Sequence, residues 1–459
     1  MTSLVQQKEN KIVLNEEQRT VYNALDVFLS SGPCGMFLLE GYAGTGKTTV
    51  LSEFIRDHLQ ANQGVSIAMT APTNKAVKVL RTMFRRSGRQ VEFITIHKLL
   101  ALRETIMDDG TQLFVRSSHV RPKIDHYQVV VVDEVSMLDD KLFKDLHDHA
   151  GRVKLIFMGD PAQVPPVNHI DCIPFRDQER KKYSIARFTL SKIMRQKDGN
   201  PIIEASFRIR KSLNMDQRIN PREDILVDGH GLEFIDGIKM PQMKELLTKY
   251  FGSDKYRDDP DYCKVICWRN VIIKFMNDLI REILYGKDID KIVIGERLVA
   301  NAPIMEGDSC LFHTNDEFEV VGIELGTKEV NKQHFKCYYA DVEYFDVDAI
   351  KKEIQTICII HEESEKAFGK MLNDIKKDAL SSPSPRKVWK FFYDMKGEFA
   401  DVGYAYGISV HKSQGSTYKN VIMLESDIDR NHKIVERNRI KYTAITRASD
   451  KVYVVTGSV

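Results

Sequence analysis

Gly41-Tyr-Ala-Gly-Thr-Gly46-Lys47-Thr48 decides how this chain folds. The stretch has the form G-x-x-x-x-G-K-[ST]. It follows an apolar run of strand length, Met36 to Glu40, and precedes a segment of helical period carrying Leu51, Phe54, Ile55 and Leu59. Strand, glycine turn and helix in that order let backbone N–H groups converge on phosphate oxygens at a helix N-terminus, where the macrodipole adds to the attraction. Composition alone gives about 0.01 chance matches in a chain this long, so the motif is specific. Lys47 is expected to reach the β and γ phosphates of ATP, and Thr48 to hold Mg²⁺.

Outward from that turn, apolar runs of strand length recur at Val65 to Thr70, Gln128 to Val132, Val153 to Met158, Cys263 to Trp268, Asn420 to Leu424 and Lys451 to Val455. They are continuous rather than alternating, as in parallel sheets covered on both faces by helices, so the fold class is α/β. Asp109-Gly110 between strand-like flanks predicts a hairpin over 102–116, inserted into the first sheet unit. From about 308 to 347, short aromatic and β-branched stretches predict a small β-barrel. Two helices then follow, carrying Phe368, Met371, Leu372 and Ile375, and Val388, Phe391, Phe392, Met395 and Phe399. Their apolar stripes are expected to bury against each other.

The 459 residues are 42% hydrophobic and 29% charged, which excludes disorder and predicts several domains. The 67 Lys and Arg nearly cancel the 65 Asp and Glu, so any polyanion is held by a local groove rather than a bulk field. No run is long and apolar enough for a bilayer, and the first ten residues lack the core of a secretion signal, so no membrane partner and a cytoplasmic location are expected. Cys263 and Cys267, within an apolar run, predict reduced core thiols rather than a metal site.

A Mg²⁺-nucleotide site needs a second carboxylate position, and Gln128-Val-Val-Val-Val-Asp133-Glu134 supplies one at the end of an apolar strand. Asp133 is expected to hold Mg²⁺ through water and Glu134 to orient or deprotonate the attacking water. Gln163, in Gly159-Asp-Pro-Ala-Gln163, is placed to touch the γ phosphate. Arg195 and Arg447 could supply charge to the transition state. Leu14-Asn-Glu-Glu-Gln18 reads as a helix capping box, an adenine reader, or both; a paired bond to adenine requires the Gln18 amide to be free of the cap. The nucleotide set is then Gln18, Gly41, Gly44, Thr45, Gly46, Lys47, Thr48 and Thr49.

Small donors and cations recur elsewhere along the chain. Pro72, Thr73, Lys75, His97 and Lys98 follow first-unit strands, and His411, Lys412, Ser413 and Gln414 form a second cluster. Such groups hold phosphates without reading bases. Trp268 and Asn270 offer a stacking face and an amide, and a stacked base is worth about 1–3 kcal/mol.

In order and spacing, these segments resemble superfamily-one DNA helicases of the RecD-like, 5′-to-3′ group. Carrying the likeness are Leu14 to Gln18, the glycine turn, Ala71 to Ala76, Thr95 to Leu100, Val132 to Met137, Gly159 to Gln163, Arg195-Gln196, Trp268 to Asn270, Ser409 to Gly415 and Tyr442 to Arg447. The resemblance implies two RecA-like motor domains, at 1–98 with 122–195 and at 196–307 with 401–459. It also implies a pin hairpin at 99–121 and an inserted barrel with a helical tower at 308–400. ATP would lie in the cleft between the motors, Arg195 and Arg447 would be arginine fingers, and Phe114 would be the pin aromatic. Single-stranded and forked duplex DNA are the implied partners, with single-strand-binding or replisome proteins, in a phage-infected bacterial cytoplasm. A nucleic-acid-stimulated ATPase that remodels protein–DNA complexes without unwinding is the alternative.

Overall fold

The computed structural model describes residues 13–32, 34–84, 91–116, 119–166, 169, 171–192, 201–215, 224–236, 239–307, 309–346 and 351–457. Arg195 lies outside the described residues. The first sheet has six parallel strands, in the order Val91–Thr95, Ile67–Ala71, Val129–Val132, Lys154–Gly159, Gly35–Gly41 and Ile185–Leu190. The all-valine strand Val129–Val132 is wholly buried, as expected of β-branched residues covered on both faces. Helices Glu16–Ser30 and Lys47–Ala61 cover one face through Val21, Leu25, Leu51, Phe54 and Ile55. Helix Asp140–Ala150 covers the other through Phe143 and Leu146. Burying each such side chain contributes about 1.5–3 kcal/mol.

The second sheet also has six strands: Gly407–Ser409, Cys263–Cys267, Tyr418–Leu424, Ala448–Thr456, His230–Asp236 and Ile225–Val227, in that order. Only the outermost pair is antiparallel. Cys263 and Cys267 are buried free thiols in its core. The strands that apolar runs had not flagged, such as Val91–Thr95 and Ile185–Leu190, form the two edges of the first sheet and are only partly buried. Ala162 and Val164, which follow the first sheet's strand Lys154–Gly159, bury in the core of the second unit. The two sheets are therefore joined beside the nucleotide turn.

Leu102–Ile106 and Gln112–Arg116 form the expected hairpin. The small β-unit comprises a five-stranded antiparallel sheet, Lys351–Ile360, Gln333–Asp346, Glu317–Val330, Arg297–Ala300 and Val402–Tyr404, with a separate ribbon, Ile304–Glu306 with Ser309–Phe312. Among the described residues its outer strands are not paired to each other, so the sheet is open where a closed barrel was expected. Helices Glu362–Ser381 and Pro385–Lys396 pack together, and also clamp the long hairpin through Val330, Phe335 and Cys337. Among the described residues, no helix is long and apolar enough to cross a membrane.

Candidate nucleotide and strand sites

The glycine turn lies at the carboxyl edge of the first sheet, between Gly35–Gly41 and helix Lys47–Ala61. Gly44 and Gly46 both have φ of +81°, a region costly for residues with a Cβ. A Cβ on Gly46 would also stand 2.6 Å from Gln18 Nε2. The Lys47 ammonium donates to the carbonyls of Gly41 and Tyr42, at 2.9 and 3.0 Å, so it is held over its own loop. Burial pushes its pKa down, while Asp160, Glu134 and Asp133 pull the other way. Thr48 and Thr49 occupy the first turn of the helix.

Asp133 follows strand Val129–Val132, and its Oδ1 accepts from Glu134 N at 2.8 Å. Burial, and then the neighbouring Glu134 charge, raise its pKa to about 7. It is an acid short of cations. Glu134 has φ of +50°, a left-handed backbone rare outside glycine, and such strain concentrates at functional positions. Among the described residues no group of three or more His, Cys, Asp or Glu forms a metal cage. Mg²⁺ carried in with phosphates needs only one or two carboxylates, so Asp133 with the Thr48 hydroxyl is a fitting donor set.

Gln18 sits against this turn with both ends of its amide committed. Its Oε1 accepts from Asn15 N at 3.1 Å, its own N–H donates to Asn15 Oδ1 at 2.9 Å, and its Nε2 donates to Thr45 O at 3.2 Å. The capping box is therefore complete, and the amide is not free for adenine in this conformation. Gln163 is buried, and its Oε1 has no hydrogen-bond partner among the described residues. Arg447 is buried within the second unit: its guanidinium donates to Thr443 O and Ser416 O, both at 3.2 Å, rather than to the glycine turn.

Three groups that sequence reasoning missed meet here. Asp160, fully buried, ion-pairs with Arg210 and accepts from Tyr442 Oη at 2.5 Å. The Arg210 guanidinium lies 4.1 Å from the Tyr42 ring centroid. Arg210 ends helix Pro201–Lys211 among Arg208 and Lys211, where cations are usual, so no local signal marks it.

The strand candidates divide. Thr73 caps helix Asn74–Met83, and Lys75 is paired with Glu317 at 3.5 Å. Pro72 is half-buried just before that cap, and Lys98 is exposed in the short helix Ile96–Leu99. The rings of His97 and Phe114 lie 4.3 Å apart, and Phe114 is 44% exposed. Burial depresses the pKa of both His97 and His411, so at neutral pH they are uncharged hydrogen-bonding groups. Trp268 and Arg269 donate their backbone N–H groups to Asp427, which fixes the turn, and Asn270 is exposed at the next helix start. Lys412 is half-buried, and its Nζ lies 3.5 Å from Asn301 Oδ1. Ser413 and Gln414, expected at the strand, instead face inward. The Ser413 hydroxyl donates to Val410 O at 2.7 Å, and Gln414 Nε2 donates across the seam to Val164 O at 3.1 Å. Their polar atoms satisfy buried backbone, Ser413 within its own turn and Gln414 across the seam, so neither offers a surface.

The helix pair Glu362–Ser381 and Pro385–Lys396 reaches the hairpin. Arg386 Nε donates to Ile106 O at 2.8 Å, Tyr393 Oη donates to Gly110 O at 2.8 Å, and the buried Trp389 ring covers Gly110.

Residues 13–219 match the AAA domain family model, and residues 404–455 match the UvrD-like helicase C-terminal domain model. The ATP-dependent DNA helicase dda of enterobacteria phage T4 is 25% identical over 91% of this chain and 93% of its own. An uncharacterized protein, R530, of Acanthamoeba polyphaga mimivirus is 25% identical over 96% of this chain and 99% of its own. The crystal structure of Pif1 helicase from Candida albicans superposes with a TM-score of 0.51 at 16% identity, covering 98% of this chain and 95% of that one, which extends the likeness to the fold. With the glycine turn, the Asp133-Glu134 strand end and the paired sheets in place, the chain is similar to ATP-dependent DNA helicases of the superfamily-one, Pif1/RecD/Dda type.

Proposed function

We propose that this protein moves along single-stranded DNA in the 5′-to-3′ direction, driven by Mg²⁺-ATP, and separates duplex DNA at the pin. The observation that carries this reading is the half-exposed Phe114. It stands on a hairpin whose base meets His97, at the strand edge of the first sheet, and whose tip is gripped by Tyr393, Arg386 and Trp389 of the tower. Opening a base pair costs roughly 1.4 kcal/mol in stacking, within the range one aromatic side chain can replace. The polarity follows from the family likeness.

At the nucleotide, the glycine turn and Lys47 bind the phosphates. Thr48 and Asp133 would hold Mg²⁺, which neutralises phosphate charge when bound. Glu134 would orient or deprotonate the attacking water, and Gln163, whose Oε1 has no hydrogen-bond partner among the described residues, would touch the γ phosphate. Arg447 would serve as an arginine finger once its bonds to Ser416 and Thr443 are exchanged for phosphate, with Arg195 as the second. Pro72, Thr73, Lys75, His97, Lys98, Trp268, Asn270, His411 and Lys412 would track the strand. The units 1–98 with 122–195 and 196–307 with 401–459 would be the two motors.

Phe114→Ala tests the wedge. We expect DNA-stimulated ATPase within about twofold of wild type and unwinding of a tailed duplex reduced at least tenfold. Equal loss of both activities, or of neither, would remove the wedge.

A further inference from the structure

Asp160 is a fully buried carboxylate whose two strongest side-chain partners come from the other unit. Arg210 is the last but one residue of helix Pro201–Lys211, and Tyr442 lies in helix Ile434–Ile445; both helices pack with the second sheet. The Tyr442 hydroxyl donates to Asp160 and accepts from the backbone N–H of Ala43, a member of the glycine turn. Tyr42, the neighbouring turn residue, is covered by the Arg210 guanidinium and meets the Phe207 ring edge-on at 5.8 Å. Because Glu40 pairs with Gly159, Gly41 and Asp160 continue side by side at the sheet's carboxyl edge. Among the charges acting on Lys47, Asp160 is the leading anion and Arg210 the opposing cation.

A buried carboxylate needs a cation, and Arg210 satisfies that need. A triphosphate brings several negative charges to the same place. A guanidinium has five donors and matches phosphate geometry at least as well as carboxylate geometry. A triphosphate held by the glycine turn would extend its third phosphate toward the carboxyl edge of the sheet, where Asp160 stands.

We infer that Arg210 is a further phosphate ligand supplied across the cleft: Asp160 holds it over Tyr42, and it transfers to the terminal phosphate of ATP, drawing the second unit onto the first. This rests on the nucleotide reading above. It assigns a group outside the two arginines expected from the motifs, and it makes Asp160 a competitor of ATP for that group.

The test is equilibrium binding of ADP and of a non-hydrolysable ATP analogue to the full-length protein, with single-stranded DNA present. Arg210→Gln should raise the ratio of analogue to ADP dissociation constants at least fivefold, and Arg210→Lys should recover part of it. A ratio that rises less than this overturns the assignment, because a purely structural contact would weaken both nucleotides alike. Asp160→Asn, which frees the guanidinium and keeps the tyrosine bond, should bind the analogue at least as tightly as wild type; weaker binding also overturns it. Wild-type protein that binds neither nucleotide would instead refute the nucleotide site itself.

Discussion

Lys47 spends its charge on two carbonyls of its own turn, a contact any phosphate would displace. Lys47→Ala should therefore abolish ATP hydrolysis and unwinding while leaving single-strand affinity within a fewfold, as read by anisotropy of a labelled oligonucleotide. His313 carries a pH signature of its own. Its bond to Asp316, with further support from Cys310, pushes its pKa up to about 9. The folded state therefore holds a proton that the unfolded chain releases near 6.5, so the stabilisation is complete below that pH and lost as pH rises through about 9. Thermal midpoints should accordingly fall more steeply between pH 7 and 10 in wild type than in His313→Asn. The Lys47 turn and the Asp133-Glu134 pair were legible in the sequence because their chemistry is local, set by neighbours within eight residues. Arg210, Tyr442 and Asp160 were not, because they meet only when two sheets 50 to 282 residues apart are brought together.

Among elements, the hairpin and the helix pair of the small β-unit are bound through a glycine. Gly110 has φ of +83°, and a Cβ there would stand 2.6 Å from the Trp389 ring. Gly110→Ala thus adds a left-handed penalty of about 1–2 kcal/mol to a steric conflict with a buried side chain. The two helices should part from the hairpin while the two six-stranded sheets stay folded. We expect ATPase to persist and base pairs opened per ATP to fall severalfold, with Trp389→Ala having the same phenotype without backbone strain. Unchanged coupling in both variants would mean that the contact is passive. The hairpin was readable from Asp109-Gly110, and the tower helices from their apolar spacing. Their meeting was not, since Arg386 and Ile106 are 280 positions apart and each is unremarkable in its own segment.

Across the whole molecule, three parts meet at Glu317 of the small β-unit. It accepts from Lys264, a fully buried cation of the second sheet, at 2.9 Å, and lies 3.5 Å from Lys75 of the first unit; the adjacent Asp316 holds Lys78 at 2.8 Å. Glu317→Gln would strip Lys264 of its counter-ion, and an uncompensated buried charge costs on the order of 3–5 kcal/mol. A clearly lower thermal midpoint should follow. These joints tie helix Asn74–Met83 of the first unit to the small β-unit and the second sheet, and under the proposed function they would couple nucleotide closure to strand movement. That coupling is tested most directly by unwinding of duplexes carrying a single 5′ or 3′ tail, followed with ATP and Mg²⁺ alongside hydrolysis. The 5′-tailed duplex should be opened and the 3′-tailed duplex left intact, while both stimulate ATPase. Stimulated hydrolysis with neither duplex opened, or opening of the 3′-tailed duplex alone, would contradict it.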